Sequence, residues 1–252
     1  MRTVATRSCG VQIRLKLVFH GLRMMNTRLN SVLTVTLVAS MLITTGLVVR
    51  RELFEAPGQS AVPSYQSPTY VQDWQEKLKG ASSSASFTAP VQIFEFIDLE
   101  CPYCARYQRD LKGLRARYPT QVALTYVHLP LPMHLSAEAA ARASECAGEQ
   151  GRFEEMVDHL FGGQAEFESA QWDKFARDAG VADLTIFNAC VQSNEPVTRI
   201  VEGRRLAEKL NIQGTPTVVI NGWKFPHPPG AERLDRIVQA ILAEESPASV
   251  RD

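Results

Sequence analysis

The motif Cys101-Pro102-Tyr103-Cys104 sits where one residue pattern gives way to another. Before it, Val91-Gln92-Ile93-Phe94-Glu95-Phe96-Ile97 is an apolar run rich in β-branched and aromatic residues, which predicts a buried strand. After it, Tyr103, Tyr107, Leu111, Leu114 and Tyr118 recur at the spacing of an amphipathic helix over 101–118. Cys101 therefore falls at a helix N-terminus, where unpaired backbone N–H groups and the helix dipole favour a thiolate. The thiolate is the attacking form of cysteine, so Cys101 is the candidate nucleophile. Cys104 lies one turn on, on the same face, placed to resolve a mixed disulfide by attacking Cys101. Pro102 suits the first helical turn, where an N–H has no partner to lose. Half of a zinc or copper site and a purely structural disulfide are the alternatives. A structural zinc site needs four ligands, and His128 and His134 have no cysteine beside them to complete one.

Strands and helices alternate beyond the motif. Residues 122–128 read as a second strand, and Ser136 as the N-cap of an Ala-rich helix through Cys146. Helical stretches follow at 153–161, 171–179, 184–191 and 197–210. Thr217–Ile220 reads as a strand, Asn221-Gly222 as a hairpin turn and Trp223–Phe225 as the returning strand, with a closing helix over 232–243. The order β-α-β, helical block, β-β-α is that of an α/β fold. The folded body is expected at 87–243, long enough for one core. Residues 50–86, marked by Pro57, Gly58, Pro63, Pro68 and the run Ala81–Ser86, read as linker, with one short helix over 71–79 packing through Trp74 and Leu78. Residues 244–252 read as a tail.

Charge separates the chain into two parts. The 252 residues hold 27 Lys and Arg and 27 Asp and Glu, but residues 1–51 carry eight basic residues and no acid. Residues 52–252 are left with 19 basic and 27 acidic residues, a net −8. Such a body repels phosphate, which argues against a nucleic-acid partner. Hydrophobic residues at 45% and charged residues at 21% exclude a disordered chain and a polytopic membrane protein. Residues 29–49 hold no charge, and as a helix they would span about 31 Å, close to a bilayer core. Six Lys and Arg precede the segment and two follow it, so residues 1–28 are expected in the cytoplasm and the body on the far side of the membrane. A single-pass anchor is the expectation, and a cleaved signal segment, giving a periplasmic or secreted protein, is the competitor.

Phe94 through Cys104, the helical block, and Gly214-Thr215-Pro216-Thr217-Val218 together resemble the DsbA-like thiol:disulfide oxidoreductases of the thioredoxin superfamily. The resemblance covers about 87–243 and implies a thioredoxin-like fold with a helical insertion at 135–209. It implies a cis bond at Thr215–Pro216 facing the cysteine pair, with the Thr215 backbone presented to substrate. Pro102, Tyr103, Thr215 and Pro216 would then support the active site and its groove. Strand alternation places Glu95 on one face with Ile93 and Ile97, where an unpartnered acid is costly. The resemblance implies an acid beneath the disulfide that helps move protons; an edge acid reaching solvent is the alternative. Asp98 and Glu100, nearer the loop, are expected to face water. The resemblance also implies a structural bridge between Cys146 and Cys190, with two buried free thiols as the alternative. Phe225-Pro226-His227-Pro228-Pro229-Gly230 departs from the short turn of the family.

These readings converge on thiol:disulfide exchange outside the cytoplasm, with Cys101, Cys104 and Glu95 carrying the chemistry. The cysteine pair is the redox centre, so no cofactor and no metal are expected. Expected partners are cysteine-containing exported proteins, a membrane redox protein that resets the pair, and the membrane itself through 29–49. Oxidation of substrates is expected over reduction or isomerisation. A non-catalytic copper-delivery module using the two thiolates as soft ligands is the alternative from another class.

Overall fold

The computed structural model describes residues 31–47, 67–81, 88–169 and 171–250. The chain divides into two units, Met1–Tyr65 and Gln66–Asp252. In the first, residues 31–47 form a helix, α1, whose side chains are exposed along its length. The Thr36 hydroxyl donates to the Val32 and Leu33 carbonyls, and the Thr44 hydroxyl to those of Ser40 and Met41, so both are satisfied inside the helix. Among the described residues no helix is long and apolar enough to cross a membrane. Residues 1–30 and 48–66, which include the basic N-terminus and the ends of the uncharged stretch, lie outside the described residues.

The second unit is an α/β fold. Its elements are β1 (Thr69–Tyr70), α2 (Trp74–Leu78), β2 (Val91–Ile97), α3 (Pro102–Arg117), β3 (Val122–His128), α4 (Ala137–Gly148), α5 (Phe153–Gly162), α6 (Trp172–Asp178), α7 (Leu184–Gln192), α8 (Thr198–Lys209), β4 (Thr217–Ile220), β5 (Trp223–Phe225) and α9 (Ala231–Leu242). The five-stranded sheet has the order β1-β5-β4-β2-β3. β2 pairs with β3 in parallel and with β4 antiparallel. Every residue of β2 is buried, because helices cover both faces of the sheet. Ile93 packs with Tyr107, Leu111 and Leu114 of α3 and Leu234 and Ile237 of α9. Phe94 and Phe96 face the other way, onto Leu206 and Ala207 of α8 and onto Trp74 and Leu78. A third cluster, built by α4 to α7, reaches Ile97, Leu99, Cys101 and Cys104.

The linker expected at 50–86 is corrected over 67–81. These residues belong to the folded unit: β1 pairs antiparallel with β5, and Trp74, Leu78 and Ala81 are buried. The β1 edge forms through backbone pairing over only two residues, which leaves no side-chain pattern to read. The Asn221-Gly222 turn has positive φ at both positions, 43° and 84°, as a two-residue hairpin loop requires. Trp74 also presses against Gly222, where an added Cβ would collide with the indole.

Two further boundaries move. The insertion expected at 135–209 is narrower, because α8 is a layer of the core fold: Leu206, Ala207 and Leu210 pack on the sheet. The inserted block is α4 to α7. The expected tail also engages the body, with Pro247 buried and the Arg233 guanidinium donating to the Val250 carbonyl at 3.0 and 3.2 Å.

Candidate active site at the N-terminus of α3

Cys101 is the N-cap of α3, with Pro102 as its first helical residue. β2 ends at Ile97, and the chain turns within three residues, the Cys101 N–H donating to the Asp98 carbonyl at 3.0 Å. The turn is tied to the helical block by Gln164, whose side-chain amide donates to the carbonyls of Leu99 and Cys101 at 2.8 and 3.0 Å. Cys101 and Cys104 are both buried and both carry free thiols.

The two sulfurs differ sharply in acidity. The hydrogen bond from Cys104 does most to lower the Cys101 thiol to about 5; burial opposes it, and the backbone N–H of Cys104, the Thr215 hydroxyl and the backbone N–H of Tyr103 add to it. Burial pushes the Cys104 thiol far up, and the hydrogen bond it gives to Cys101 and the charge of Glu95 push it further. The geometry thus separates a ready thiolate from a partner held as a thiol.

Glu95 lies in the middle of β2, opposite Tyr126 of β3 and Val218 of β4. It is 0% exposed, and neither carboxylate oxygen has a hydrogen-bond partner among the described residues. Burial raises its pKa well above the carboxylate range, and the Cys101 charge raises it further. The Tyr107 hydroxyl, one turn beyond Cys104, is likewise buried and without a partner among the described residues, and Glu95 acts electrostatically on it.

Across the pair lies the 214–218 loop. The Thr215–Pro216 bond is cis, and the Cys101 thiol approaches the Thr215 carbonyl at 3.5 Å. Between this loop, the start of α3 and the 225–230 segment runs a groove of about 850 Å³, lined by Tyr103, Arg106, Thr215, Pro216, Phe225 and His227 among others. Tyr103 departs from the helical stripe expected of it. It is 62% exposed and lies under the Arg106 guanidinium, 4.6 Å from its ring centroid. Its place in the first turn carries it past the edge of the core.

Asp98 and Glu100 also depart from expectation, since neither projects into water. Asp98 is 1% exposed; its carboxylate accepts from the N–H groups of Glu100 and Leu131 at 2.8 and 2.7 Å and meets His134 Nδ1 at 2.8 Å. Glu100 accepts from the Ser136 N–H at 2.6 Å. The two acids clasp the 129–136 loop against the Cys101 turn. An acid directly after a strand is the one available signal, and two of the three partners of the Asp98 carboxylate lie more than 30 residues away. Ser136 makes no side-chain cap bond at α4. His128 is buried against Glu145 at 2.8 Å.

Away from the site, Cys146 of α4 and Cys190 of α7 are joined by a disulfide with Cα atoms 5.8 Å apart. Among the described residues no group of three or more His, Cys, Asp or Glu side chains is placed to hold a metal ion.

A family model described as Thioredoxin matches residues 86–240. A thioredoxin-like oxidoreductase from Silicibacter pomeroyi is 26% identical, with a TM-score of 0.55 over 63% of this chain and 89% of its own. ScsC of Proteus mirabilis (21% identical, TM-score 0.56, 82% of this chain and 96% of its own) and α-DsbA1 of Wolbachia pipientis (19%, 0.53, 62% and 88%) share the fold. Among curated proteins, the Na(+)/H(+) antiporter NhaA 3 of Salinispora tropica is 35% identical over 156 residues, 62% of this chain and 24% of that protein. NhaA 1 of Mycolicibacterium vanbaalenii is 33% identical over 157 residues, 61% and 25%. The chain spans about a quarter of the length of these curated relatives. By its matched family model, which covers more than half of its length, the chain belongs to the Thioredoxin family.

Proposed function

We propose that the chain exchanges disulfides with cysteine-containing exported proteins, with Cys101 as nucleophile and Cys104 as resolving thiol. The observation that carries this reading is the split in acidity between the two sulfurs, one lowered to about 5 and the other held as a thiol. Cys101 Sγ attacks or leaves as the thiolate, and the Cys104 thiol gives up its proton as it displaces substrate. Glu95, fully buried and acting electrostatically on Cys104, is the group we assign to that proton. A stabilised thiolate favours the reduced pair, so the oxidised pair readily accepts electrons from substrate. The direction we propose is therefore oxidation of substrates, followed by resetting through a membrane redox protein.

The site of action we propose is outside the cytoplasm, with 29–49 as a single-pass anchor or an export segment. The basic flank before this stretch and the internally bonded Thr36 and Thr44 hydroxyls support it. Two measurements test the function. Cys104→Ser should accumulate a mixed disulfide through Cys101, whereas Cys101→Ser should accumulate none; trapping through Cys104 overturns the assignment. Equilibrium with glutathione should give a potential well above the roughly −270 mV of thioredoxin, and a value at or below it overturns the direction.

A further inference from the structure

The turn that carries Cys101 gathers negative charge. Two backbone donors fix the Asp98 carboxylate, and the Ser136 N–H fixes that of Glu100. Cys101 shares this turn, its N–H bonded to the Asp98 carbonyl, so its thiolate is a third negative group in one place. The dipeptide between the cysteines, Pro102-Tyr103, brings no cation. Arg106 sits in the next turn, over the outward-facing Tyr103 ring. The counter-charge comes from the other loop: His134 Nδ1 lies 2.8 Å from Asp98 Oδ2. Its side chain is 21% exposed, so it exchanges protons with solvent while remaining clasped.

We propose that His134, oriented by Asp98, is a positioning residue for the exchange reaction: its protonated ring offsets the Cys101 thiolate and makes the Cys101–Cys104 pair a stronger oxidant than it would be without that charge, a gain present in mildly acidic solution and lost in alkaline solution. The proposal rests on the reading of Cys101 as the exchange nucleophile. Reduction of the pair by two glutathione thiols forms one glutathione disulfide, leaves Cys101 as thiolate and Cys104 as thiol, and releases one proton. An imidazolium beside the new thiolate lowers the free energy of that product. Burial pulls the His134 pKa down, but its bond to Asp98 and the charges of Asp98, Cys101 and Glu100 bring it above its ordinary value. Those three groups, all from the β2–α3 turn, are the ionisable partners that face it.

The test compares the full chain with its His134→Gln and His134→Lys variants at equilibrium with reduced and oxidised glutathione. Gln keeps a donor for Asp98 and loses the charge; Lys keeps the charge at every pH used. At about pH 6 the Gln variant should favour the reduced pair at least about threefold less than the parent, and the two should converge by about pH 9. The Lys variant should match the parent at the lower pH and exceed it at the higher. Coincident parent and Gln curves at the lower pH, or an offset that stays constant across the range, overturn the proposal. Absence of exchange in the parent overturns the exchange reading and this proposal together.

Discussion

The Cys101 sulfur and the Thr215 carbonyl oxygen lie 3.5 Å apart although 114 residues separate them in the chain. The proposed nucleophile comes from a helix N-terminus and its cover from a loop entering β4, so neither segment alone makes the site. The Thr215 hydroxyl is buried, accepts and donates no hydrogen bond among the described residues as the thiol stands, and helps lower the Cys101 pKa. Alkylation of the reduced protein by iodoacetamide should rise through a midpoint near 5 and then level off, because only the thiolate reacts. Thr215→Val, which removes the hydroxyl and keeps the shape, should move that midpoint up by as much as about one unit. An unmoved midpoint would rule out the hydroxyl as a contributor.

Glu95 gives a prediction with opposite effects on stability and activity. Its folded pKa is raised, so the unfolded chain ionises first and the folded state pays a growing penalty as pH rises above the ordinary carboxylate value. Below that value both states hold the proton and the penalty vanishes. Glu95→Gln should therefore melt at a higher temperature than the parent at neutral pH, with the gap closing toward pH ~4. The same variant should resolve mixed disulfides about tenfold or more slowly, having no ionisable group to relay the Cys104 proton. Equal melting temperatures at neutral pH would contradict the buried, unpaired carboxyl.

The Cys146–Cys190 bridge closes a loop of 44 residues inside the helical block, away from the 214–218 loop. Replacing both cysteines with serine should lower unfolding free energy by up to about 4 kcal/mol in the chain-entropy model. Exchange through Cys101 and Cys104 should persist at temperatures where the variant remains folded. A denaturant titration and a glutathione exchange assay on one preparation would separate the two effects.

Leu78 tests the boundary of the folded unit. It lies well before the expected start of the domain, yet it is fully buried among Phe94, Phe96 and Val219. Leu78→Ala should cost about 2–5 kcal/mol, the range for deleting a core leucine. A change below ~0.5 kcal/mol would return residues 67–81 to the status of a spacer.

Much of this architecture is legible because the relevant chemistry is local. The largely apolar run at 91–97 announces a buried strand, Asn221-Gly222 announces a hairpin, and alternation points Glu95 inward with Ile93. What escapes is set by distant partners. Asp98 looks like a loop acid until the Leu131 N–H and His134 arrive from 33 and 36 residues away. Tyr103 shares the helical phase of Tyr107, but it opens onto the groove beside Arg106 and Thr215, so periodicity places it in a core it does not join. Helix α8 reads as one more member of the helical block, because which layer it joins depends on the sheet face left open by α3 and α9.

The 114-residue gap between Cys101 and Thr215 bears on biosynthesis. As the chain emerges N-terminus first, the Cys101 and Cys104 thiols appear before Cys146, and all three before Cys190 and the loop that shelters the pair. In an oxidising environment a nascent chain would for that interval expose the Cys101 and Cys104 thiols together with Cys146, whose own partner is still to come. The native pairing requires Cys146 to wait 44 residues for its partner, so a bond from Cys146 to Cys101 or Cys104 is the error this order of emergence invites.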